Sequence, residues 1–170
     1  RSVDPIALFA GGLLSIGVPP PPAAPSSKPP PSRGRIVTAL GPMDFELFGA
    51  DAPRTVTNFV HLVRSGMYRA VRVDRTCPHV VVWLGLLDWS APAPYTLPAE
   101  SPRRRIERGS LVANIAEHGL RFGICRGPWP GAEGALTVFG RLTSGLDVLD
   151  ELVIYDVVEG IVLAEPGAEG

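Results

Sequence analysis

The sequence predicts a mainly β protein whose sheet closes into a barrel, with two helices placed to cover the open ends. Seven or eight short segments have strand-like composition and are separated by turns rich in glycine and proline. Only two segments, one early and one late, carry apolar residues at helical spacing. The chain of 170 residues has room for one full core. Closure of the sheet would remove the exposed edges that an open sheet leaves.

The N-terminal part of the chain is predicted to be an arm outside the barrel. Residues 6–18 form an uncharged apolar run that is too short to cross a hydrocarbon layer of about 30 Å. The eight prolines of residues 19–32 predict an extended tether of about 3.1 Å per residue. The predicted division is an arm over residues 1–33, a globular domain over 34–164 and a tail over 165–170.

The apolar run has three interpretations, because the sequence begins at Arg1 and not at a methionine. It is the remnant of a targeting region, the end of a longer membrane span, or a segment that packs on a partner protein. The partner interpretation is favoured. We therefore expect other protein subunits to bind through residues 1–32, with membrane contact only indirect or through a truncated N-terminal segment.

The first two strands are predicted at residues 34–40 and 43–48, joined across Gly41-Pro42 as a hairpin. In the second strand Met43, Phe45 and Leu47 alternate with acidic residues, so one face should be buried and the other wet.

The first helix is predicted to open at Asp51-Ala52-Pro53, with the Asp51 carboxylate accepting from the first backbone N–H groups. Gly66 should end it in the left-handed conformation, and His61 should lie at the rim. The apolar stripe consists of Val56, Phe59, Val60 and Val63.

Residues 71–85 are predicted to form two strands around a Pro78-His79 turn, with an isolated Arg75 on the first of them. Three further strands are expected at residues 109–116, 120–125 and 136–142, and a last one at 157–164. Ser144 is the expected N-cap of the second helix. Its apolar side is expected to consist of Leu146, Leu149, Leu152 and Val153.

Charge and cysteine content argue against several classes of function. Lys and Arg number 16 against 17 Asp and Glu, so no overall field favours nucleic acid. The basic residues at 103–105 and 108 are diluted by Glu100 and Glu107, which favours a solvated loop over a phosphate or partner site. Cys77 and Cys125 are expected to be small buried hydrophobes. Neither they nor the three scattered histidines have the spacing of a metal site, so no metal is expected.

A series of motifs in fixed order resembles the cyclophilin family of peptidyl-prolyl cis-trans isomerases over about residues 34 to 164. The resemblance implies an eight-stranded antiparallel barrel capped by two helices. The motifs are FELF at 45–48, AP-x-TV-x-NFV at 52–60, Gly66 and Tyr68, Asp74-Arg75 with Pro78, GSL at 109–111, RFGIC at 121–125, VFGR at 138–141, and G-x-DVL at 145–149.

The resemblance assigns a candidate catalytic role to Arg75, which matches the arginine of the family's Phe-His-Arg triplet. In the family this guanidinium donates to the prolyl nitrogen as the amide twists. Loss of amide resonance is the origin of the barrier of about 18–20 kcal/mol, and a fixed cation stabilises the twisted state most. The step needs no cofactor.

The positions that match the family's substrate groove are mostly substituted. Gly123 stands where the family has a phenylalanine at the floor of the proline pocket, and Trp83 stands where it has a glutamine. We predict that the Trp83 indole fills the groove, and that Asp74 or Glu117 pairs with Arg121 to offset its repulsion of Arg75. The matching positions are Val80, Val81, Trp83, Asn114, Arg121, Phe122 and Leu136.

Two functions follow from this pattern. The first is a cyclophilin-like domain with little or no catalytic activity that serves as a structural or chaperone-like subunit of a larger complex. The second is an active isomerase of divergent specificity that uses Arg75 and binds proline-containing segments. A third reading of Arg75 is a structural arginine paired with a carboxylate. The apolar leader predicts an organelle, mitochondrion or plastid.

Overall fold

A computed structural model of the chain describes residues 30–85, 95, 97, 98, 100, 104–114 and 121–165. The apolar run of residues 6–18 therefore lies outside the described residues. Among the described residues, no helix has the length and apolar character needed to span a bilayer.

Eight strands close into one barrel in the spatial order β1-β2-β7-β5-β6-β4-β3-β8, with every pair antiparallel. This confirms the predicted fold class. The strands are β1 (Arg33–Thr38), β2 (Gly41–Leu47), β3 (Val71–Cys77), β4 (Val81–Gly85), β5 (Ser110–Asn114), β6 (Arg121–Cys125), β7 (Leu136–Leu142) and β8 (Val157–Leu163).

In the described part of the chain two α-helices accompany the barrel, α1 (Pro53–Arg64) and α2 (Leu146–Glu151). A single 3₁₀ turn, Pro130–Ala132, lies between β6 and β7. Gly66 has a φ of 79° just after α1, so the predicted left-handed ending is confirmed. The hairpin turn between β1 and β2 lies at residues 39–40, and Gly41 is already the first residue of β2.

The interior of the barrel is filled by apolar side chains of the strands and of α1. Met43, Phe45 and Leu47 are buried on β2 while the acidic residues between them are half-exposed, as the alternation predicted. Phe59 of α1 lies 5.3 Å from Phe122 between ring centroids. Its centroid is 5.2 Å from that of Phe139, so α1 is anchored to the core through one aromatic ring.

The start of α1 differs from the sequence prediction. Asp51 makes no capping hydrogen bond and instead pairs with Arg104 at 2.5 Å. The first backbone N–H groups are bound by Glu100, whose Oε1 accepts from Arg54 N at 2.8 Å. Its Oε2 accepts from Thr55 N at 2.7 Å and from Thr55 Oγ1 at 2.6 Å. A carboxylate 45 residues distant in the sequence reaches the helix start only through the tertiary fold, so local sequence rules point to the wrong residue.

The start and the buried side of α2 also differ from prediction. Its N-cap is Gly145 with a φ of 80°, and Ser144 Oγ donates to the Asp44 carboxylate at 3.0 Å instead of capping the helix. Leu146 is 36% exposed and Val153 60% exposed, so neither belongs to the buried side. The helix is only six residues long, and Val148 packs with Leu149 and Leu152 in the interior.

Candidate functional site

A second apolar cluster lies on the outer face of the barrel, over strands β4, β6, β5 and β7. On β4, Val82 and Leu84 enter the interior core whereas Val81 and Trp83 enter this second cluster, as the period of two in a strand requires. We call it the outer cluster. Its buried members are Val81, Trp83, Ile106, Val112, Cys125, Ala132, Leu136 and Val138.

The pairing of the strands places five residues in one row across this face. Arg75 of β3 pairs with Trp83 of β4, and Trp83 pairs with Gly123 of β6. Gly123 pairs with Val112 of β5, which pairs with Val138 of β7. The predicted arginine, the predicted indole and the predicted glycine are therefore direct neighbours.

A break in the β3–β4 register, between Val73 and Arg75, sets the exposure of the arginine. Asp74 is the residue left over at this bulge. Its side chain is 3% exposed, whereas Arg75 is exposed to solvent at the edge of the outer cluster. The guanidinium of Arg75 is therefore presented beside Trp83, at the rim of the apolar face.

Asp74 and Arg121 form an ion pair that is almost entirely buried. Nη2 of Arg121 donates to Oδ2 of Asp74, and the side chains are 5% and 3% exposed for Arg121 and Asp74 respectively. The guanidinium carbon of Arg121 lies 5.5 Å from the centroid of the Trp83 ring. The prediction that Asp74 or Glu117 neutralises Arg121 is confirmed for Asp74, and Glu117 lies outside the described residues. The pair cancels the second positive charge next to Arg75.

The space at Gly123 is occupied by its neighbours. A Cβ atom at this position would lie 2.8 Å from Val81 Cγ2, 3.0 Å from Val112 Cγ2 and 3.2 Å from Trp83 Cε3. The indole is only 4% exposed. The site that the sequence marked as a missing aromatic floor is therefore filled by Trp83 and two valines.

The other predicted groove positions divide between the two faces of the sheet. Leu136 is buried in the outer cluster, and Val80 packs against it from the β3–β4 turn. Asn114 ends β5 opposite Leu136. Phe122 does not join them, because it points into the interior and contacts Phe59. The structure therefore brings together six of the seven positions along the outer face and separates Phe122.

Several members of the outer cluster were missed by the sequence analysis. Val112, Ile106 and Ala132 are buried there, and Trp129 packs against it. Burial raises the pKa of the Cys125 thiol to about 12, so it acts as a small hydrophobe, as predicted. The alternation along β5 and β6 would have found Val112 and Cys125 once the register was known. Ile106 and Ala132 lie outside the strands and carry no such signal.

Within the described residues, this face offers the exposed guanidinium of Arg75 beside a closed apolar surface. Among the described residues no three His, Cys, Asp or Glu side chains are grouped in a way that could hold a metal ion.

Comparison with known proteins agrees with this geometry. A family model described as "Cyclophilin type peptidyl-prolyl cis-trans isomerase/CLD" matches residues 34–165. A peptidyl-prolyl cis-trans isomerase of Helicobacter pylori is 32% identical over 145 residues, which are 76% of this chain and 85% of that protein. A peptidyl-prolyl cis-trans isomerase-like 1 protein of Aspergillus niger is 28% identical over 125 residues, covering 68% of this chain and 77% of its own.

Solved structures show the same fold. The crystal structure of a cyclophilin-type peptidyl-prolyl cis-trans isomerase from Cryptosporidium parvum superposes with a TM-score of 0.68 at 22% identity, covering 79% of this chain and 98% of its own. A cyclophilin from Hirschia baltica gives a TM-score of 0.68 at 16% identity, covering 83% of this chain and 78% of its own.

Proposed function

This chain belongs to the cyclophilin-type peptidyl-prolyl cis-trans isomerase family, and on that premise we propose that its barrel has little or no isomerase activity and works as a binding module. In this role it is a structural or chaperone-like subunit of a larger assembly, recruited through residues 1–32, in an organelle such as a mitochondrion or plastid. The observation that carries the proposal is the closed state of the outer face at Trp83.

The energy balance favours the closed face. Removing a buried tryptophan side chain from a core costs about 3–5 kcal/mol, and Trp83 is 4% exposed. A proline ring that displaced it would recover only about 1.5–3 kcal/mol, the range for burying one medium-sized apolar side chain. A substrate proline therefore competes poorly with the indole that already occupies the face.

The neighbouring ion pair adds to this cost. Arg121 is held to Asp74 below the indole and has almost no exposed surface. An arginine that is already paired and desolvated is poorly placed to hold a substrate backbone carbonyl, since that bond would be made at the expense of a buried charge interaction.

A prolyl isomerisation assay tests the catalytic part of the proposal. Uncatalysed exchange of an Xaa-Pro peptide takes tens to hundreds of seconds, so weak acceleration is measurable at high protein concentration. We expect little or none from the native chain. Trp83→Gln should raise the rate, because it removes the indole that closes the face. Strong acceleration by the native chain would contradict the proposal.

The second candidate is an active isomerase of divergent specificity that acts on proline-containing segments. It is favoured by one observation, the exposure of Arg75 at the rim of the outer cluster. Arg75→Ala distinguishes the two functions: an active isomerase should lose most of its acceleration, whereas any residual rate in a binding module should be unchanged. Arg72→Ala is a matched control, since Arg72 is an exposed arginine of the same strand.

Recruitment is tested separately from catalysis. The full chain is purified in mild detergent from its source, beside a Leu8→Glu/Leu13→Glu variant that breaks the apolar run of residues 6–18. We expect the native chain to co-purify with protein partners and the variant to lose them. A native chain that behaves as a monomer, or a variant that keeps every partner, would be evidence against the subunit role.

A further inference from the structure

We propose that a cleft on another part of the barrel surface binds a phosphate group. The cleft has a volume of about 360 Å³ and lies where the β3–β4 turn, the segments flanking β5 and β6, and α2 meet. None of its lining residues belongs to the groove positions described above, so the proposal is independent of isomerase activity. We call it the α2 cleft. Its lining residues are Pro78, His79, Arg108, Arg126 and Asp150.

One wall of the α2 cleft is held in position by backbone contacts. His79 adopts a φ of 60°, in the left-handed region, at the tip of the turn. Val80 N donates to Cys77 O at 3.0 Å, and Arg126 N donates to Val80 O at 2.8 Å. A Cβ at Gly127 would lie 2.8 Å from His79 O, so the close approach of the turn depends on that glycine. The imidazole is therefore carried on a constrained turn.

Arg126 brings a positive charge that is not hydrogen-bonded to any carboxylate within the described part of the chain. Its Nε and Nη2 groups donate to main-chain carbonyl oxygens at the C-terminal end of α2, those of Leu149, Asp150 and Leu152. These are dipoles with partial charges and offset a full unit charge only in part. Its second terminal nitrogen, Nη1, makes no protein hydrogen bond among the described residues, so it has a donor to offer a ligand.

Asp150 carries the one carboxylate among the described residues that line the α2 cleft, and this carboxylate is already occupied. Both oxygens of Asp150 accept from Arg108, at 2.9 Å and 2.7 Å. This pairing lowers the pKa of Asp150, so the carboxylate stays ionised at neutral pH. Two arginines therefore face one carboxylate, and the α2 cleft has an excess positive charge even when the His79 imidazole is neutral.

A phosphate group fits this arrangement better than a carboxylate does. The planar fork of Arg108, which could hold either group, is already engaged with Asp150. A phosphate monoester offers three peripheral oxygens and up to two negative charges. These suit Arg126 and His79, which come from separate segments and, within the described residues, form no ion pair with a carboxylate. The volume leaves space for the organic group that carries the phosphate.

Titration of the full chain with inorganic phosphate at low ionic strength tests the proposal, with acetate as the parallel probe. Calorimetry measures the affinity, and amide resonances locate the site. We expect saturable binding with a dissociation constant of about 1–10 mM, shifts centred on residues 78–79 and 126–127, and binding of acetate about tenfold weaker. The absence of saturable phosphate binding, or equal affinity for acetate, would overturn it.

Three substitutions test the cleft: one should weaken phosphate binding, one should strengthen it and one should leave it unchanged. His79→Asn removes the imidazole but tolerates the left-handed backbone, and should weaken phosphate binding about threefold or more. Asp150→Asn removes the competing carboxylate and should strengthen it by a similar factor. Arg141→Gln removes one charge from an exposed arginine that pairs with Glu46, and should leave phosphate binding unchanged. If both cleft variants behave like Arg141→Gln, the assignment is wrong. Should His79→Asn fail to fold, the sign of the Asp150→Asn effect decides.

The same titration distinguishes two sources of the phosphate. A phosphoserine peptide with its unphosphorylated copy represents a modified protein partner, and a sugar phosphate represents a small metabolite. Whichever binds more tightly than inorganic phosphate identifies the source, and that gain should also disappear in His79→Asn.

Discussion

The buried Asp74–Arg121 pair offers the sharpest quantitative test of how this face is held together. Asp74→Leu removes the carboxylate that pairs with the buried Arg121 guanidinium. Arg121→Met removes the guanidinium that pairs with the buried Asp74 carboxylate. The two side chains are 3% and 5% exposed, so water cannot solvate the remaining charge without a rearrangement. Each single substitution is expected to lower the free energy of unfolding by about 3–5 kcal/mol.

The double substitution should behave differently from the sum of the singles. Replacing a buried ion pair by apolar side chains of similar volume removes both desolvation penalties together and is often nearly neutral or stabilising. Asp74→Leu/Arg121→Met is therefore expected to lie within about 2 kcal/mol of the native stability. The coupling energy of the cycle should exceed about 3 kcal/mol, far above that of exposed pairs.

Urea denaturation measures these differences, with the midpoint moving and the slope unchanged. The matched control is the Arg141–Glu46 pair, at 2.5 Å with side chains 62% and 28% exposed. Its single substitutions and its coupling should each stay below about 1 kcal/mol. If the Asp74–Arg121 cycle gave values as small as these, the reasoning from burial would be refuted.

Three further predictions rest on other parts of the barrel. Glu100→Ala removes three hydrogen bonds at the start of α1. Loss of this cap should cost about 2 kcal/mol and lower the melting temperature in a thermal scan by about 5–10 °C. An unchanged melting temperature would show that water replaces the cap. Gly140→Ala places a Cβ 2.5 Å from the Glu46 carbonyl oxygen across the β2–β7 ladder and should lower the free energy of unfolding by about 2 kcal/mol or more. Gly160 has open space around it, so Gly160→Ala should change the free energy of unfolding by no more than about 0.5 kcal/mol. Because burial raises the pKa of Cys125 to about 12, iodoacetamide at neutral pH should alkylate the half-buried Cys77 first. Equal alkylation rates of the two cysteines would contradict the closed face.

Patterns formed by residues close together in the sequence predicted the secondary-structure elements well. The alternation on β2 and the glycine after α1 each depend on the preference of a residue for one backbone state or one face, and both were found as expected. The motif order was also sufficient for the family, since it depends only on the sequence.

Predictions that required a partner from elsewhere in the chain succeeded less often. The helix caps assigned to Asp51 and Ser144 are wrong because each side chain has a competing tertiary partner, Arg104 and Asp44 respectively. At the site, Arg121 had two candidate partners in the sequence, and only the bulge at Asp74 brings that carboxylate against it.

By itself the sequence determined the mainly β barrel, the family, and the presence of an arginine, an indole and a glycine at positions that the resemblance matches to a substrate groove. Only the tertiary structure decided that these three lie in one row and that two valines complete the closed face. The physical reason is that a strand pattern specifies which face a side chain occupies, whereas strand register decides its neighbours. The α2 cleft depends on register in the same way, because its five residues come from four separate segments of the chain.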